Sequence, residues 1–512
     1  MKIIIAGAGE VGTHLAKLLS KEEQDIILID ADIEKLQWID SNYNLMTVAG
    51  SPTSFKVLKK AGVNKADLFI AVMPFESRNI TACTLATKLG AKKTVARIDN
   101  YEYLLPENRA FFRELGVDEL IYPEMLAAEE IVTALKRTWV RNWFELCKGE
   151  LILIGVKLRE KAQILNHKLC DLTRQNNYYH IAAIKRNEET IIPRGNDELQ
   201  LNDIVYFTTT PDHIQDIREL TGKTEVDVRK VMIMGGSRIA IRLIHIAPEY
   251  IKMKLIECDR EKSFKLVEKM HDTVIIHGDA RDIDLLKEEG IRDTDAFIAL
   301  TDSSETNILA CLTAKRLGVA KTIAEVENIP FISTAEGLNI GSIINKKLIA
   351  ASRIFQLLLD SDSSNVKCLA LADAEVAELV AKEGSKITKA PVKDLTLPKD
   401  LTLGGLIRDG KGIIVNGNTQ IQANDHVVVF CLDTAIRKSF NMSEINFRIV
   451  ARVIGILLCF EALFMLLPLS VAIYYNESDI YAFLLTIGIT AVVGLCSTFI
   501  FKRHSKQMGK RE

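Results

Sequence analysis

The first twelve residues, MKIIIAGAGEVG (residues 1–12), contain the pattern that decides the fold of the amino-terminal region. A short apolar run over residues 3–6 leads into a glycine-rich loop, and a stretch typical of a helix follows over residues 14–19. A strand, a G-x-G-x-x-G loop and a helix in this order form the fingerprint of a dinucleotide-binding unit. The alternative is a glycine turn that holds no ligand.

The three glycines of this loop have separate physical roles. Gly7 permits the tight turn, Gly9 lets the backbone approach a pyrophosphate, and Gly12 lets the helix pack closely on the strand. The helix N-terminus supplies unpaired N–H groups and the positive end of a dipole for the phosphates. Asp30 ends the second apolar run, where a carboxylate accepts hydrogen bonds from ribose hydroxyls. Because a carboxylate repels a 2′-phosphate, Asp30 favours NAD(H).

The chain repeats itself at a shift of about 228 residues. GSPTSFKVLKKAGVNKADLFIAV starts at Gly50, and GDARDIDLLKEEGIRDTDAFIAL starts at Gly278. Two later segments also match: IIPRGNDELQLNDIVYF starts at Ile191, and IIVNGNTQIQANDHVVVF starts at Ile413. The sequence therefore predicts a tandem duplication of a two-domain unit, in the order A-B-A′-B′.

Unit A alternates short apolar runs with stretches typical of helices, which indicates βαβ units around a parallel sheet. Its runs are KIIIAG, DIILID, LMTVAG, DLFIAV and KTVARI. Unit B has runs at closer spacing, LILIGVKL, YYHIAAIKR, TIIPRG and DIVYFTT, which indicate a small β-rich domain. The predicted fold class is α/β, with two tandem Rossmann-like parallel-sheet domains that are each followed by a small α+β domain.

A helical segment follows each A unit. Leu126, Ile131 and Leu135 recur at helical spacing in PEMLAAEEIVTALKRTW, and its counterpart, KKLIAASRIFQLLL, starts at Lys346. Each segment is predicted to connect A to B and to pack against a partner subunit. The predicted divisions are a first nucleotide-binding domain at 1–122, a connecting helix at 123–144, a first small domain at 145–222, a second nucleotide-binding domain at 228–346, a connecting helix at 347–364, a second small domain at 365–442 and a membrane segment at 447–502.

The second glycine loop departs from the fingerprint. VMIMGGSRIA keeps Gly235, but Ser237 and Ala240 stand where glycines are expected. Ser237 crowds a pyrophosphate, whereas Arg238 adds a contact to one. Glu257, in LIECDR, takes the place of the acidic residue that follows the first loop. Two interpretations stay open for this loop: a second nucleotide site, or a structural remnant of one.

Two further positions are candidates for the first site. Met73 and Pro74 follow the fourth predicted strand, at the carboxyl edge where ligands of open α/β sheets bind. Arg97, in VARID, either pairs with a phosphate or is a surface arginine. The matching residue of the second copy is Glu325, which would repel a phosphate.

Composition and motifs argue against several other functions. The 65 basic and 67 acidic residues nearly balance, so nucleic acid is not an expected partner. Nine cysteines include no C-x-x-C pair, and neither they nor the nine histidines show a metal-ligand spacing. No catalytic motif is visible, so we expect no enzyme and interpret the nucleotide as an effector. The alternatives are a membrane-tethered NAD-dependent oxidoreductase and a ligand-free scaffold.

The composition changes after residue 446. Two apolar stretches follow, Ile449–Tyr475 and Ile480–Phe501, each longer than the roughly 20 residues that a bilayer-spanning helix needs. A polar NESD turn joins them, and Arg448 and Lys502 are among the basic residues that flank the pair. These features predict a transmembrane helical hairpin with both ends in the cytoplasm. The alternative is a buried helical hairpin of a soluble core.

Several of these motifs together resemble a known family. MKIIIAGAGEVG, VARI, TDSSETNILA and IIPRGNDELQLNDIVYF are similar to segments of the TrkA family, the regulatory subunits of bacterial Trk potassium-uptake systems. The resemblance covers roughly residues 1–442. It implies two tandem RCK modules in a homo-oligomeric cytoplasmic gating ring, which binds NAD(H), or ATP or ADP in some members, and attaches to a potassium channel subunit at the inner membrane.

The resemblance also implies two sets of binding residues. The first set is Gly7, Ala8, Gly9, Glu10, Val11, Asp30, Met73, Pro74 and Arg97. The second set is Gly235, Gly236, Ser237, Arg238, Ile239 and Glu257. Met73 and Pro74 depart from the Thr-Asn that is usual in the family. The tail segment INFRIVARVIGILLCFEALFMLLPL resembles the start of the channel subunit, TrkH, which predicts a regulator fused to the first hairpin of its channel.

Overall fold

The computed structural model describes residues 1–20, 25–43, 45–175, 178–187, 189–338, 340–361, 368–371, 374–432, 447–475 and 480–500. These residues belong to two compact units, Met1–Asp433 and Thr434–Glu512. The NESD turn of residues 476–479, Lys502 and parts of the predicted segments 347–364, 365–442 and 447–502 lie outside the described residues.

The first unit begins with a six-stranded sheet in which all neighbouring strands are parallel. Its strands are β1 (Lys2–Ala6), β2 (Asp25–Asp30), β3 (Met46–Ala49), β4 (Leu68–Ala71), β5 (Thr94–Arg97) and β6 (Glu119–Ile121). Ile3, Ile4 and Ile5 are fully buried, because helices cover both faces of the sheet. The helices are α1 (Glu10–Ser20), α2 (Ile33–Asn42), α3 (Phe55–Lys60), α4 (Glu76–Leu89), α5 (Pro106–Glu114) and α6 (Pro123–Lys136).

The strand order of this sheet, β3-β2-β1-β4-β5-β6, places its switch point between β1 and β4. The chain leaves β1 toward one side of the sheet and leaves β4 toward the other, so a crevice opens outside their carboxyl ends. The glycine loop follows β1, and Met73 and Pro74 follow β4. The fold therefore brings two of the predicted binding segments to one edge of the sheet.

A second six-stranded parallel sheet repeats the first, in the order β14-β13-β12-β15-β16-β17. Its strands are β12 (Lys230–Met234), β13 (Lys252–Glu257), β14 (Val274–His277), β15 (Ala296–Ala299), β16 (Lys321–Glu325) and β17 (Ser342–Ile344). Its helices are α9 (Arg238–Ile246), α10 (Arg260–Lys269), α11 (Ile283–Glu288), α12 (Ser304–Arg316), α13 (Ile329–Gly337) and α14 (Lys346–Ser361). The predicted pair of Rossmann-like domains is confirmed, with a sixth short strand in each sheet that the apolar runs did not predict.

Each parallel sheet is followed by a five-stranded antiparallel sheet. The first is ordered β10-β9-β11-β8-β7 and the second β18-β19-β22-β20-β21. The first contains β7 (Asn142–Leu146), β8 (Leu151–Lys157), β9 (Tyr179–Arg186), β10 (Glu189–Ile191) and β11 (Ile204–Thr209), with helices α7 (Leu169–Gln175) and α8 (Ile214–Leu220). The second contains β18 (Cys368–Leu371), β19 (Ala374–Val380), β20 (Leu401–Arg408), β21 (Lys411–Ile414) and β22 (His426–Leu432).

The two halves of this unit exchange their connecting helices. Ala127, Ile131 and Leu135 of α6 belong to the same buried apolar cluster as Ile239 and Leu243 of α9, the helix after the second glycine loop. Reciprocally, α14 packs against α1, the helix after the first loop. The connectors were predicted to pack against a partner subunit. Here the duplication supplies that partner within the same chain.

The small sheets also meet. Leu151 and Leu153 of β8 share a buried cluster with Val428 and Phe430 of β22. The His180 Nε2 atom lies 3.0 Å from the Thr402 Oγ1 atom. The two copies therefore form one continuous body of four sheets.

The described residues of the second unit form the helices α15 (Phe447–Phe464), α16 (Leu466–Tyr475) and α17 (Ile480–Ile500). Helices α15 and α17 approach closely at Gly494, where a Cβ atom would lie 2.8 Å from the Cys459 Sγ atom. The first predicted span is divided after Phe464, because Pro468 lacks an N–H group and its ring crowds the carbonyl four residues earlier. Among the described residues, no helix meets the length and apolarity that a membrane crossing requires, so the predicted transmembrane hairpin is not supported.

Candidate nucleotide-binding sites

The first glycine loop needs two of its glycines for steric reasons. Gly7 has a φ of +113° and donates its N–H to the Ile29 carbonyl at 2.8 Å. A Cβ atom on Gly12 would lie 1.9 Å from the Gly7 carbonyl oxygen, which no side chain tolerates. The tight turn and the close helix packing predicted for these residues are both present.

Gly9 is different, because no neighbouring protein atom would clash with a side chain at this position. A Cβ atom on Gly9 would meet no atom within 4 Å. Helix α1 begins at the next residue, Glu10, and the N–H groups of its first turn have no partner within the helix. Open space beside a helix N-terminus is the geometry that a pyrophosphate needs.

Asp30 holds the loop in place through hydrogen bonds to backbone N–H groups. Its Oδ2 atom accepts the Ala8 N–H at 2.5 Å, and its Oδ1 atom accepts the Asp32 N–H at 2.9 Å. An ionised carboxylate has about four lone-pair sites, so these two bonds leave capacity for ribose hydroxyls. Asp30 therefore fixes the loop in addition to the role predicted for it.

Asn79 connects the other two predicted segments. Its buried side chain accepts the Met73 N–H at 2.8 Å and donates to the carbonyls of Met73 at 2.9 Å and Arg97 at 2.8 Å. Asn307 makes the same three kinds of bond in the second half, to Thr301 and Glu325. Sequence reasoning did not assign Asn79 a role, although its recurrence in both copies was a usable signal.

These segments surround a cleft of about 690 Å³. Six predicted residues line it: Ala8, Gly9, Glu10, Val11, Pro74 and Arg97. Gly7, Asp30 and Met73 lie behind this lining and hold it in place. The cleft is also lined by residues that sequence reasoning missed: Thr13, His14, Lys17, Lys35, Tyr43, Val72, Pro123, Ile329, Lys346 and Lys347.

The last two of these lysines come from the other half of the chain, at the start of α14. The Lys347 Nζ atom lies 2.6 Å from a Glu10 carboxylate oxygen and 2.9 Å from one of Glu327. Burial opposes the charge, but these hydrogen bonds raise the pKa of Lys347 and keep it cationic at neutral pH. Lys346 pairs with Glu327 and, at 3.3 Å, with Glu325. The first site is therefore built from both halves.

Arg97 lies at the carboxyl end of β5 and faces this cleft. Its guanidinium is 3.1 Å from the Asp99 carboxylate, and its Nε atom is buried without a hydrogen-bond partner in the part of the chain that the structure describes. A phosphate would give this group the acceptor that it lacks.

The second glycine loop keeps the backbone geometry, and its second residue, Gly236, is packed closely against protein atoms. Gly235 has a φ of +92°, and the Gly236 N–H donates to the Glu257 carboxylate at 2.8 Å. A Cβ atom on Gly236 would lie 2.5 Å from the Leu266 side chain. Glu257 is buried and also pairs with Lys262 at 3.1 Å. Glu257 thus binds the N–H of the residue after the first glycine, as Asp30 does in the first loop.

The remaining residues of the second set are engaged elsewhere. Ser237 caps helix α9, and the side chain of Ile239 lies in the core. The Arg238 guanidinium is 3.5 Å from Asp99 of the first half. Burial raises the pKa of Glu325 to about 7, although the neighbouring Lys346 acts against this. The structure thus brings the second set together around the loop, with its side chains turned toward protein groups.

Two family models match most of the chain. The TrkA-N domain model matches residues 3–123 and 231–346, and the TrkA-C domain model matches residues 153–222 and 376–442. The Trk system potassium uptake protein TrkA of Haemophilus influenzae is 32% identical over 440 residues, which cover 85% of this chain and 96% of that protein. The chain belongs to the TrkA family.

Other members of the TrkA family are similar over the same extent. The Trk system potassium uptake protein TrkA of Vibrio alginolyticus is 32% identical and covers 85% of this chain, with 96% of its own length matched. A TrkA homolog of Archaeoglobus fulgidus is 31% identical, and the match covers 86% of this chain and 99% of that protein. The family-model matches end at residue 442, so the predicted likeness of the tail to TrkH is untested.

Solved structures agree on the fold. The RCK domain of GsuK superimposes with a TM-score of 0.53 at 16% identity, and the match covers 86% of this chain and 94% of that one. The GsuK channel bound to NAD gives a TM-score of 0.52 at 15% identity, covering 86% of this chain and 78% of that one. At these identities the likeness shows the RCK fold. Within the described residues, no group of three or more histidine, cysteine, aspartate or glutamate side chains is placed to hold a metal ion.

Proposed function

We propose that this chain is the nucleotide-binding regulatory subunit of a Trk-type potassium-uptake system. Membership of the TrkA family supports the system, and the relatives are named for potassium uptake. One structural observation carries the regulatory role. The open cleft above Gly9 is lined by the loop of one half and by Lys346 and Lys347 of the other. A ligand there contacts both halves at once.

The residues of the first site fit a dinucleotide. The loop and the first turn of α1 offer backbone N–H groups to the pyrophosphate, and the Asp30 carboxylate, behind the loop, has acceptor capacity left for a ribose hydroxyl. Arg97, Lys346 and Lys347 supply positive charge for the phosphates. We propose NAD(H) as the effector, because a structural neighbour of this fold is described as bound to NAD. ATP and ADP are the competing effectors.

Binding regulates by shifting an equilibrium between conformations. Lys346 and Lys347 begin α14, and α14 packs against α1, so phosphates bridge the two halves through both helices. The shift can be no larger than the difference in affinity of the ligand for the two conformations. Coupling is reciprocal, so the state of the potassium pore alters the nucleotide affinity.

The chain acts with a separate potassium channel subunit of the membrane, as a homo-oligomer on its cytoplasmic side. The nucleotide stays chemically unaltered, which distinguishes this proposal from an NAD-dependent oxidoreductase. The likeness of the tail to the start of TrkH stays a prediction, and membrane spanning by the tail is not part of the proposal.

Calorimetric titration with NADH, NAD⁺, ATP and ADP tests binding, and potassium flux in vesicles that hold the channel subunit tests regulation. We expect at least one nucleotide to bind and to change flux. The variant Gly9→Val should fold, because its side chain meets open space, and should lose binding by blocking the pyrophosphate. Gly337→Val, at another unobstructed glycine, is the matched control. Binding without a change in flux, or steady oxidation of NADH, would refute the proposal.

A further inference from the structure

A second, strongly basic cleft of about 830 Å³ lies between the first small domain and the second parallel-sheet domain. Only one acidic residue, Glu160, is among the residues that line it. The basic residues that line it are Arg141, Lys157, Arg159, Lys161, Lys223, Lys315 and Lys321. Seven cations against one carboxylate in a single cleft contrast with the near-neutral charge of the whole chain.

This cleft is separate from both glycine loops. Lys321 is the first residue of β16, and Glu325, near the second loop, is the last. The cleft therefore opens at the amino edge of the sheet, whereas nucleotides of this fold bind at the carboxyl edge. Its other wall comes from Lys157, at the end of β8, and from Lys223, after α8.

Two of these cations, Lys321 and Arg141, are largely buried with little compensation of their charge by the protein. Lys321 is only 5% exposed, yet its Nζ atom binds neutral oxygens: Ser342 Oγ at 3.0 Å and the carbonyls of Thr138 and Val140 at 3.4 Å. The Arg141 Nη2 atom is buried and has no hydrogen-bond partner among the described residues. A buried cation that lacks a carboxylate partner is costly unless an anion is supplied from elsewhere.

The Glu336 carboxylate is shared between two cations, Lys185 and Arg141. It lies 2.6 Å from the Lys185 Nζ atom and 3.9 Å from the Arg141 guanidinium. Lys157 reaches only the main-chain carbonyl of Glu336, at 3.4 Å. Burial, together with Arg159 and other neighbouring cations, lowers the pKa of Lys223 to about 8. The cations thus repel one another across the cleft.

We propose that this cleft binds a multivalent phosphate anion, either inorganic polyphosphate or the phosphate chain of a nucleotide. The cations converge from two domains, so an anion removes their mutual repulsion and joins the first small domain to the second parallel-sheet domain. A volume of about 830 Å³ is within the range of small-molecule sites. This site is additional to the nucleotide site of the proposed function and does not depend on it.

Calorimetric titration of the full chain with tripolyphosphate tests the proposal. The titration uses a Gly9→Val background, so that the first glycine loop does not contribute. We expect saturable binding that weakens with added salt, as an interaction between charges requires. The double variant Lys157→Gln/Lys223→Gln should weaken binding by about tenfold or more. Lys59→Gln/Lys60→Gln, on an exposed helix, makes the same change in net charge and should bind normally.

Titration with ATP then identifies the source of the phosphate. Equal affinity for ATP and tripolyphosphate indicates recognition of the phosphate chain alone, and tighter ATP binding indicates that the nucleoside is held as well. Either ranking supports the site. The proposal is overturned if tripolyphosphate does not bind, or if the two double variants bind it equally. Neither failure affects the nucleotide site at Gly9, which is tested separately by NADH.

Discussion

The two glycine loops share a backbone and differ in what surrounds it. In both, a glycine with positive φ follows the first strand of the sheet, and a buried or half-buried carboxylate accepts the N–H of the next residue. Above the first loop, Gly9 opens into a cleft lined by lysines. At the second loop, Ser237 takes the place of Gly9 and caps the helix, and Leu266 and Glu257 lie close to the preceding Gly236. The duplication preserved the scaffold while the two surfaces diverged.

The two connecting helices differ in the charge of their first residues. Helix α14 packs against α1, which follows the first loop, and α6 packs against α9, which follows the second. Helix α14 begins with Lys346 and Lys347, whereas α6 begins with Pro123 and Glu124. The cleft of the first loop thus receives two cations from the other half of the chain. We therefore expect phosphate binding at the first loop to depend on the lysines that the other copy supplies.

The largest expected effect is at the third small residue of the glycine loop, which is Gly12 in the first loop and Ala240 in the second. Gly12→Ala places a Cβ atom 1.9 Å from the Gly7 carbonyl and should destabilise the protein by about 3 kcal/mol or more. The matched change in the second loop, Ala240→Gly, should cost only about 1 kcal/mol. Denaturant unfolding of both variants measures the difference. Equal losses would show that the two loops have the same packing.

The next prediction concerns the charge supplied across the halves. Lys347→Gln removes the cation that pairs with Glu10 beside the nucleotide cleft, and one of the two lysines that pair with Glu327. Nucleotide affinity should fall by about tenfold. Lys265→Gln, on the exposed face of α10, is the control and should bind like the wild type. If Lys347→Gln binds as tightly as the control, the first loop alone determines the affinity.

The sequence predicted the two parallel sheets better than it predicted the lysines beside the first loop. Apolar runs, the glycine loop and the internal repeat were sufficient for both parallel sheets, because buried strands are continuous apolar runs. The three-residue strands β6 and β17 were missed, since three residues show no period. Lys346 was recognised only as the start of a connector. Its place beside Gly9 depends on how the halves pack, and no local pattern encodes that.

The small domains differ at one titratable position, so the pH dependence of stability can compare the two copies. His180 and Thr402 occupy equivalent positions of the two copies and contact each other. Burial lowers the pKa of His180 to about 4, below its usual 6.5. The unfolded chain therefore takes up this proton first, and the stability that neutral His180 contributes is complete above pH 6.5 and is lost as pH falls toward 4.

His180→Thr makes the two positions identical and removes this titration. Between pH 7 and pH 4.5, the wild type should lose about 1–2 kcal/mol more stability than the variant. Urea unfolding at both pH values measures the difference, and the other titrating groups cancel between the two proteins. His271→Thr, at an exposed histidine, should keep the pH dependence of the wild type. A wild type and a His180→Thr variant with parallel pH profiles would contradict the prediction.

The smallest expected effect is at Arg238, one of the two arginines that were candidates for phosphate contacts; Arg97 is the other. Arg238 is more than half exposed and pairs with Asp99 at 3.5 Å, so Arg238→Gln should change stability by less than about 0.5 kcal/mol. Nucleotide affinity should stay within about twofold, because the guanidinium is turned from its own loop. Arg97→Gln should instead weaken binding by about tenfold, since Arg97 lines the first cleft. Calorimetric titration of both variants decides between them: a larger loss at Arg238 than at Arg97 would mean that the second loop holds the nucleotide.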